Sequence, residues 1–252
     1  MILPEQLQYD AVVRLTELLD NIRVNCDINA TYIEISSIVV YGPNCFALAR
    51  MNKFVKIVVY LAILFDTESS TKYLDCITYV YTEFTNLNDV CAVRFKIAIE
   101  RQCILHLDKR PSDSEVVEGG SLKWFTDERS FEELNPQIAA QQAFGVINLI
   151  GGLYLVHVLQ TAFVVSIVMG CLKGNYNYDY YLGARLFRYL DAGCVQSLMC
   201  INPMDSLNSI EHYRLACKRM QMIIKMKRIQ PNVKALIKDT WNNRKYRLTN
   251  IN

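Results

Sequence analysis

Apolar positions recur at helical spacing from the start of the chain. After Pro4, residues Leu7, Val12, Leu15, Leu18, Leu19 and Ile22 fall on one stripe, with Asp10, Arg14, Glu17 and Asp20 on the other. This predicts an amphipathic helix with one face on a core. Residues 45–65 are apolar on most sides and predict a buried helix, ended by the polar run 66–71. Helical spacing resumes over 72–84 and 87–107. Asn88 or Asp89 supplies an N-cap for the second of these, since a short side-chain oxygen can accept from a free amide of the first turn. Residues 32–41 are rich in β-branched side chains and end at Gly42-Pro43, so they read either as a short strand or as a helix.

Residues 108–120 are polar and end in Gly-Gly. They mark a loop, and a subdomain hinge at 108–121, inside what otherwise reads as a single domain over 1–252. Asn135-Pro136 opens a helix with proline at its first position and leads into an uncharged run from 134 to 172. The run is long enough to span a bilayer. Asn148, His157, Gln160, Ser166 and glycines lie within it, each unfavourable against lipid, so it reads as a central buried helix broken at Gly151-Gly152. A cluster of Tyr176, Tyr178, Tyr180 and Tyr181 precedes a helix over 181–190 that stops at Gly193. The last long helix runs from Asp205 or Ser206 to Ile229, and Pro231 separates it from a shorter one over 233–241. The whole predicts an all-α fold, a large helical globule with a C-terminal helical arm at 204–252. Ten Gly and six Pro in 252 residues suit long helices better than a strand-and-turn fold.

Charge changes this picture. The formal net charge is +2, yet eleven of the 27 basic side chains and one of the 25 acidic ones lie from Arg214 onward. That leaves 16 basic and 24 acidic residues before it, so a basic C-terminus is joined to an acidic body. Such a charge dipole can bind an acidic partner or the acidic body of a second copy. On a nucleic acid, the lysines and arginines would meet phosphates while Trp241 and Tyr246 stack on bases. Met220, Met222, Ile223, Ile224, Met226 and Ile229 give the arm an apolar face that packs either on the body of its own chain or on a second copy, the latter a head-to-tail contact that propagates instead of closing. The body's own negative charge disfavours nucleic acid without removing it as a partner. Lys225, Lys227, Arg228, Arg244, Lys245 and Arg247 are the candidate contact residues. The tyrosine cluster joins them, because tyrosine suits partly wet contacts.

Candidate chemistry is sparse. None of the nine cysteines forms a C-x-x-C pair, and His106, His157 and His212 are scattered, so no metal site and no cofactor are expected. No Gly-rich phosphate loop, H-E-x-x-H or G-x-S-x-G motif is present, and the chain is not expected to be an enzyme. Cys194 and Cys200 sit near polar or Gly-containing stretches and are the candidates for bridges between molecules. No basic region followed by an apolar stretch opens the chain, so no signal peptide is expected, and the polar residues within 134–172 argue against stable membrane insertion.

In its size, its cysteines without metal spacing, its tyrosine cluster over 175–181 and its opposed charges, the chain resembles the occlusion-body matrix proteins of insect viruses, the helical polyhedrin type of nudiviruses. That resemblance implies a structural protein that crystallises inside infected cells, in the nucleus, and encases virions in particles later found outside the cell. Its lattice contacts would be hydrophobic patches, ion pairs, intermolecular disulfides and exchanged segments. Such particles would dissolve in alkali as Tyr and Lys lose protons. The alternative expectation is an RNA-binding viral nucleoprotein with a basic C-terminal arm.

Overall fold

A computed structural model describes residues 4–22, 27–42, 47–64, 67–107, 135–174, 177–197 and 203–244, with side chains for all of these except 4–9, 47, 67–68, 135–141, 177–178, 194–197 and 203–210. Among the described residues there are ten α-helices and no strand. They are α1 (Pro4–Asn21), α2 (Ile28–Val39), α3 (Ala47–Leu64), α4 (Thr67–Leu87), α5 (Asp89–Leu107), α6 (Asn135–Leu155), α7 (Thr161–Lys173), α8 (Asn177–Ser197), α9 (Pro203–Lys225) and α10 (Pro231–Asn242). The fold is all-α. The chain divides into two compact units, Met1–Asp108 and Lys109–Asn252. The expected hinge at 108–121 lies outside the described residues.

In the first unit α3 packs between α1 and α5, α2 packs on α4, and consecutive helices touch. Short connections cause this. Asn88 alone separates α4 from α5, and its side-chain oxygen accepts from the Val90 amide at 2.7 Å, so one helix ends and the next starts on the same residue. The stretch 32–41 belongs largely to helix α2, which corrects the strand alternative. Tyr32, Ile35, Ser36 and Val39 are buried at helical spacing, and Asp27 caps the helix by accepting from the Ala30 amide. β-Branched residues cost a helix only about 0.5 kcal/mol each, which burial of a whole stripe outweighs. The polar run expected to separate two helices is instead helical from Thr67 onward, as the first turns of α4.

The core of this unit centres on Phe95, whose ring lies 5.2 Å from Phe84, 6.1 Å from Phe54 and 6.3 Å from Tyr81. Buried hydroxyls are matched to backbone: Tyr73 donates to the Leu19 carbonyl at 3.2 Å and Tyr32 to that of Lys72 at 2.7 Å. Arg50, only 3% exposed, donates Nε to the Ile38 carbonyl at 2.9 Å and so satisfies the C-terminal end of α2.

In the second unit α8 is the central helix, with α6, α7 and α10 packed on it. Its close approach to α6 is set by two glycine–tyrosine pairs. The Tyr189 ring occupies the place of a Cβ at Gly151, and the Tyr154 ring that of a Cβ at Gly193. The expected break at Gly151-Gly152 therefore does not occur there. These residues are helix–helix contact points, and α6 ends only at Leu155, before a turn in which His157 has φ 63°. For the same reason α8 does not stop at Gly193 but continues to Ser197. It also begins earlier than expected, at Asn177, so the tyrosine cluster lies largely in its first turns. Among the described residues no helix is long and apolar enough to cross a membrane.

A basic face on the C-terminal helices

Helices α9 and α10 pack on their own unit, α9 along α7 and α10 on α8. The arm's apolar side is occupied there: Met220, Ile223, Ile229, Val233 and Ile237 are buried. Of the two placements the sequence left open for this side, these residues take the one within the chain. Tyr213 of α9 donates to the buried Asp191 carboxylate of α8 at 2.6 Å and packs on Phe187 with rings 5.0 Å apart. Arg219 donates Nε to the Leu172 carbonyl at 2.9 Å, placing a cation at the C-terminal end of α7, where the helix dipole favours it.

The outer side of α9 repeats every three or four residues. Glu211, Leu215, Lys218, Met222 and Lys225 are exposed, interleaved with the buried Tyr213, Ala216, Met220 and Ile223. Lys227 and Arg228 follow in the exposed turn after α9, and Lys238 is exposed on α10. Asp239, the sole carboxylate after Arg214, is held by Arg188 at 2.8 Å. That ion pair is half exposed and contributes about 0.5 kcal/mol to stability. Its larger effect is to remove the one local negative charge. Lys218, Lys225, Lys227, Arg228 and Lys238 make no ion pair among the described residues, and these exposed cations of the C-terminal helices can attract anionic groups.

The candidate residues named from sequence fare unequally. Lys225, Lys227 and Arg228 come together at the C-terminal end of α9, exposed as a contact requires. Arg244 lies over the Trp241 ring at 3.7 Å and donates to its carbonyl at 2.5 Å, so the ring expected to stack on bases is already covered by an intrachain cation. Tyr180 is fully buried with no partner for its hydroxyl, and is not available to a neighbouring molecule in this fold. Tyr181 is half-buried and accepts from Arg185 at 3.3 Å, and that guanidinium also covers the Phe144 ring at 4.3 Å. Tyr176, Cys200, Lys245, Tyr246 and Arg247 lie outside the described residues, as do the side chains of Tyr178 and Cys194. Among the described residues Cys76, Cys91 and Cys103 are free thiols. Among the described residues no group of three His, Cys, Asp or Glu is arranged to hold a metal.

Sequence reasoning did not single out Leu215 or Lys218, and it placed Met222 on the arm's apolar side with the residues that prove buried. The signal was present as a second apolar spacing, 215 and 222, out of phase with the buried 213, 216, 220 and 223.

The described residues thus form an all-α fold, helices packed within two compact units with no strand among them. It is similar to a solved structure, the MIF4G domain of Trypanosoma cruzi translation initiation factor EIF4G5, with a TM-score of 0.51 over 91% of this chain and 94% of that one, at 13% sequence identity. No protein-family model matches the sequence, and no curated protein matches it.

Proposed function

We propose that the chain is a non-catalytic helical scaffold that works in translation initiation, docking other components on exposed helical faces. The likeness to the translation-factor domain supports this, because it extends over nearly the whole of both chains and not over a single helical hairpin. One fold hosts several functions, so the reading stands or falls on association in the cell. The basic face of α9 and α10 agrees with it, since exposed cations without local carboxylates suit an anionic partner.

The expectation of an occlusion-body matrix rests on the sequence profile, and nothing in the fold bears on it. The two readings part in one experiment. Extracts of cells expressing the tagged chain are run through a sucrose gradient. A scaffold of translation initiation moves with fractions containing the small ribosomal subunit and leaves them when initiation complexes are dissociated by high salt. A chain that instead pellets as ordered arrays, with none in the ribosomal fractions, contradicts the proposal and returns the matrix reading.

A further inference from the structure

We infer that the outer stripe of α9 is a docking site for an acidic amphipathic helix of a partner protein. The inference deepens the scaffold reading and rests on it for its biological setting. Leu215 and Met222 are 40% and 53% exposed and stand seven residues apart on one face, about 10 Å along the helix axis. Lys218 and Lys225 are exposed on the same stripe, at the three-residue step after each. The result is two apolar footholds, each followed by a cation. A thioether adapts to different neighbours, which suits Met222 to a docking surface.

Charge names the occupant. Between Glu211 and Asp239 the sequence has no carboxylate, and Asp239 is already held by Arg188. Glu211 lies about 10 Å from Lys218 along the axis, beyond the screening length at physiological salt. An apolar stripe on α5 offers a contrast. Val90, Val93, Ile97 and Ile104 are exposed there, but Arg94 and Arg101 are accompanied by Asp89 and Glu100, so charge selects no partner for it. On α9 the fields add to one sign. A helix with leucines at i and i+7 and with aspartates or glutamates between them matches that pattern. RNA matches it less well. Leu215 and Met222 offer no planar face for a base, and the Trp241 ring of α10 is covered by Arg244.

The test uses the full chain and fluorescein-labelled peptides of about five helical turns. One peptide carries leucines at helical spacing among glutamates. A second has the same composition scrambled, and oligoglutamate and oligouridylate serve as further probes. Anisotropy is expected to show saturable binding of the amphipathic peptide, weakened about tenfold by Leu215→Ala with Met222→Ala and about tenfold by Lys218→Glu with Lys225→Glu. All four side chains are exposed, so circular dichroism and melting of the variants should match the parent. Equal binding of the scrambled peptide or oligoglutamate, tighter binding of oligouridylate through the same lysines, or no binding of the amphipathic peptide overturns the inference. The gradient experiment is independent of these outcomes. Ribosomal association without peptide binding removes the docking site alone, and peptide binding without ribosomal association removes the translation reading alone.

Discussion

Gly151, Gly193 and Gly170 are three helical glycines with opposite demands on a side chain. At Gly151 and Gly193 a Cβ would enter the rings of Tyr189 and Tyr154, whereas at Gly170 it would meet open space. Gly151→Ala is therefore expected to cost about 1–3 kcal/mol of stability through overpacking. Gly170→Ala should add about 0.5–1 kcal/mol, because alanine is the better helix former and restricts the unfolded chain. Urea denaturation of both variants checks the pair, and equal effects would show that α6 and α8 do not meet as described. Two buried tyrosines give a second contrast. The Tyr180 hydroxyl is fully buried without a partner, and that of Tyr213 donates to Asp191 at 2.6 Å. Tyr180→Phe is expected to be neutral or stabilising, and Tyr213→Phe to cost about 1–3 kcal/mol. A loss of stability in Tyr180→Phe like that of Tyr213→Phe would reveal a bonded hydroxyl at Tyr180.

Helices α2, α4 and α5 together bury groups that bear on pH. Burial raises the Cys76 thiol and the Tyr32 phenol well above their ordinary ranges and pushes Cys103 up to about 12. The folded unit thus keeps these protons at a pH where the unfolded chain gives them up. Their contribution is fully present below the ordinary Cys and Tyr values and is lost as pH rises through those values toward the folded ones. Stability in urea should fall between neutrality and about pH 10.5, and Cys76→Ala with Cys103→Ala should flatten that fall. An unchanged slope in the double variant would exclude the thiols as its source. Alkaline dissolution of any particle made from this chain would then report unfolding of its first unit as much as loss of contacts between copies. Much of this helical layout was legible in the sequence, because α1, α3 and α5 carry the 3.6-residue spacing and Asn88 is a visible cap. What misled was local composition. The β-branched run of α2 and the polar start of α4 obscured helices held by burial, and Gly151 and Gly193 looked like breaks because a packing glycine and a breaking one are the same letter.

At the scale of the whole molecule the sequence charge divides along the two units. Met1–Asp108 holds 13 acidic and nine basic residues, and Lys109–Asn252 holds 12 and 18. The excess of positive charge was readable from sequence, but its use was not. Only packing shows that the apolar side of α9 is occupied by α7 and its neighbours, that Arg188 neutralises Asp239, and that Lys218 and Lys225 remain on an open stripe. The scaffold role proposed above consists in bringing components together, which a tethering assay measures directly. The full chain is fused to an RNA-binding module and recruited to the untranslated region of a reporter message, with the fusion carrying Lys218→Glu and Lys225→Glu alongside. Recruitment is expected to change reporter protein per message severalfold, with most of the change lost in the charge-reversed form. Reporter output that is the same with the tethered chain as with the tethering module alone would contradict a role in translation initiation.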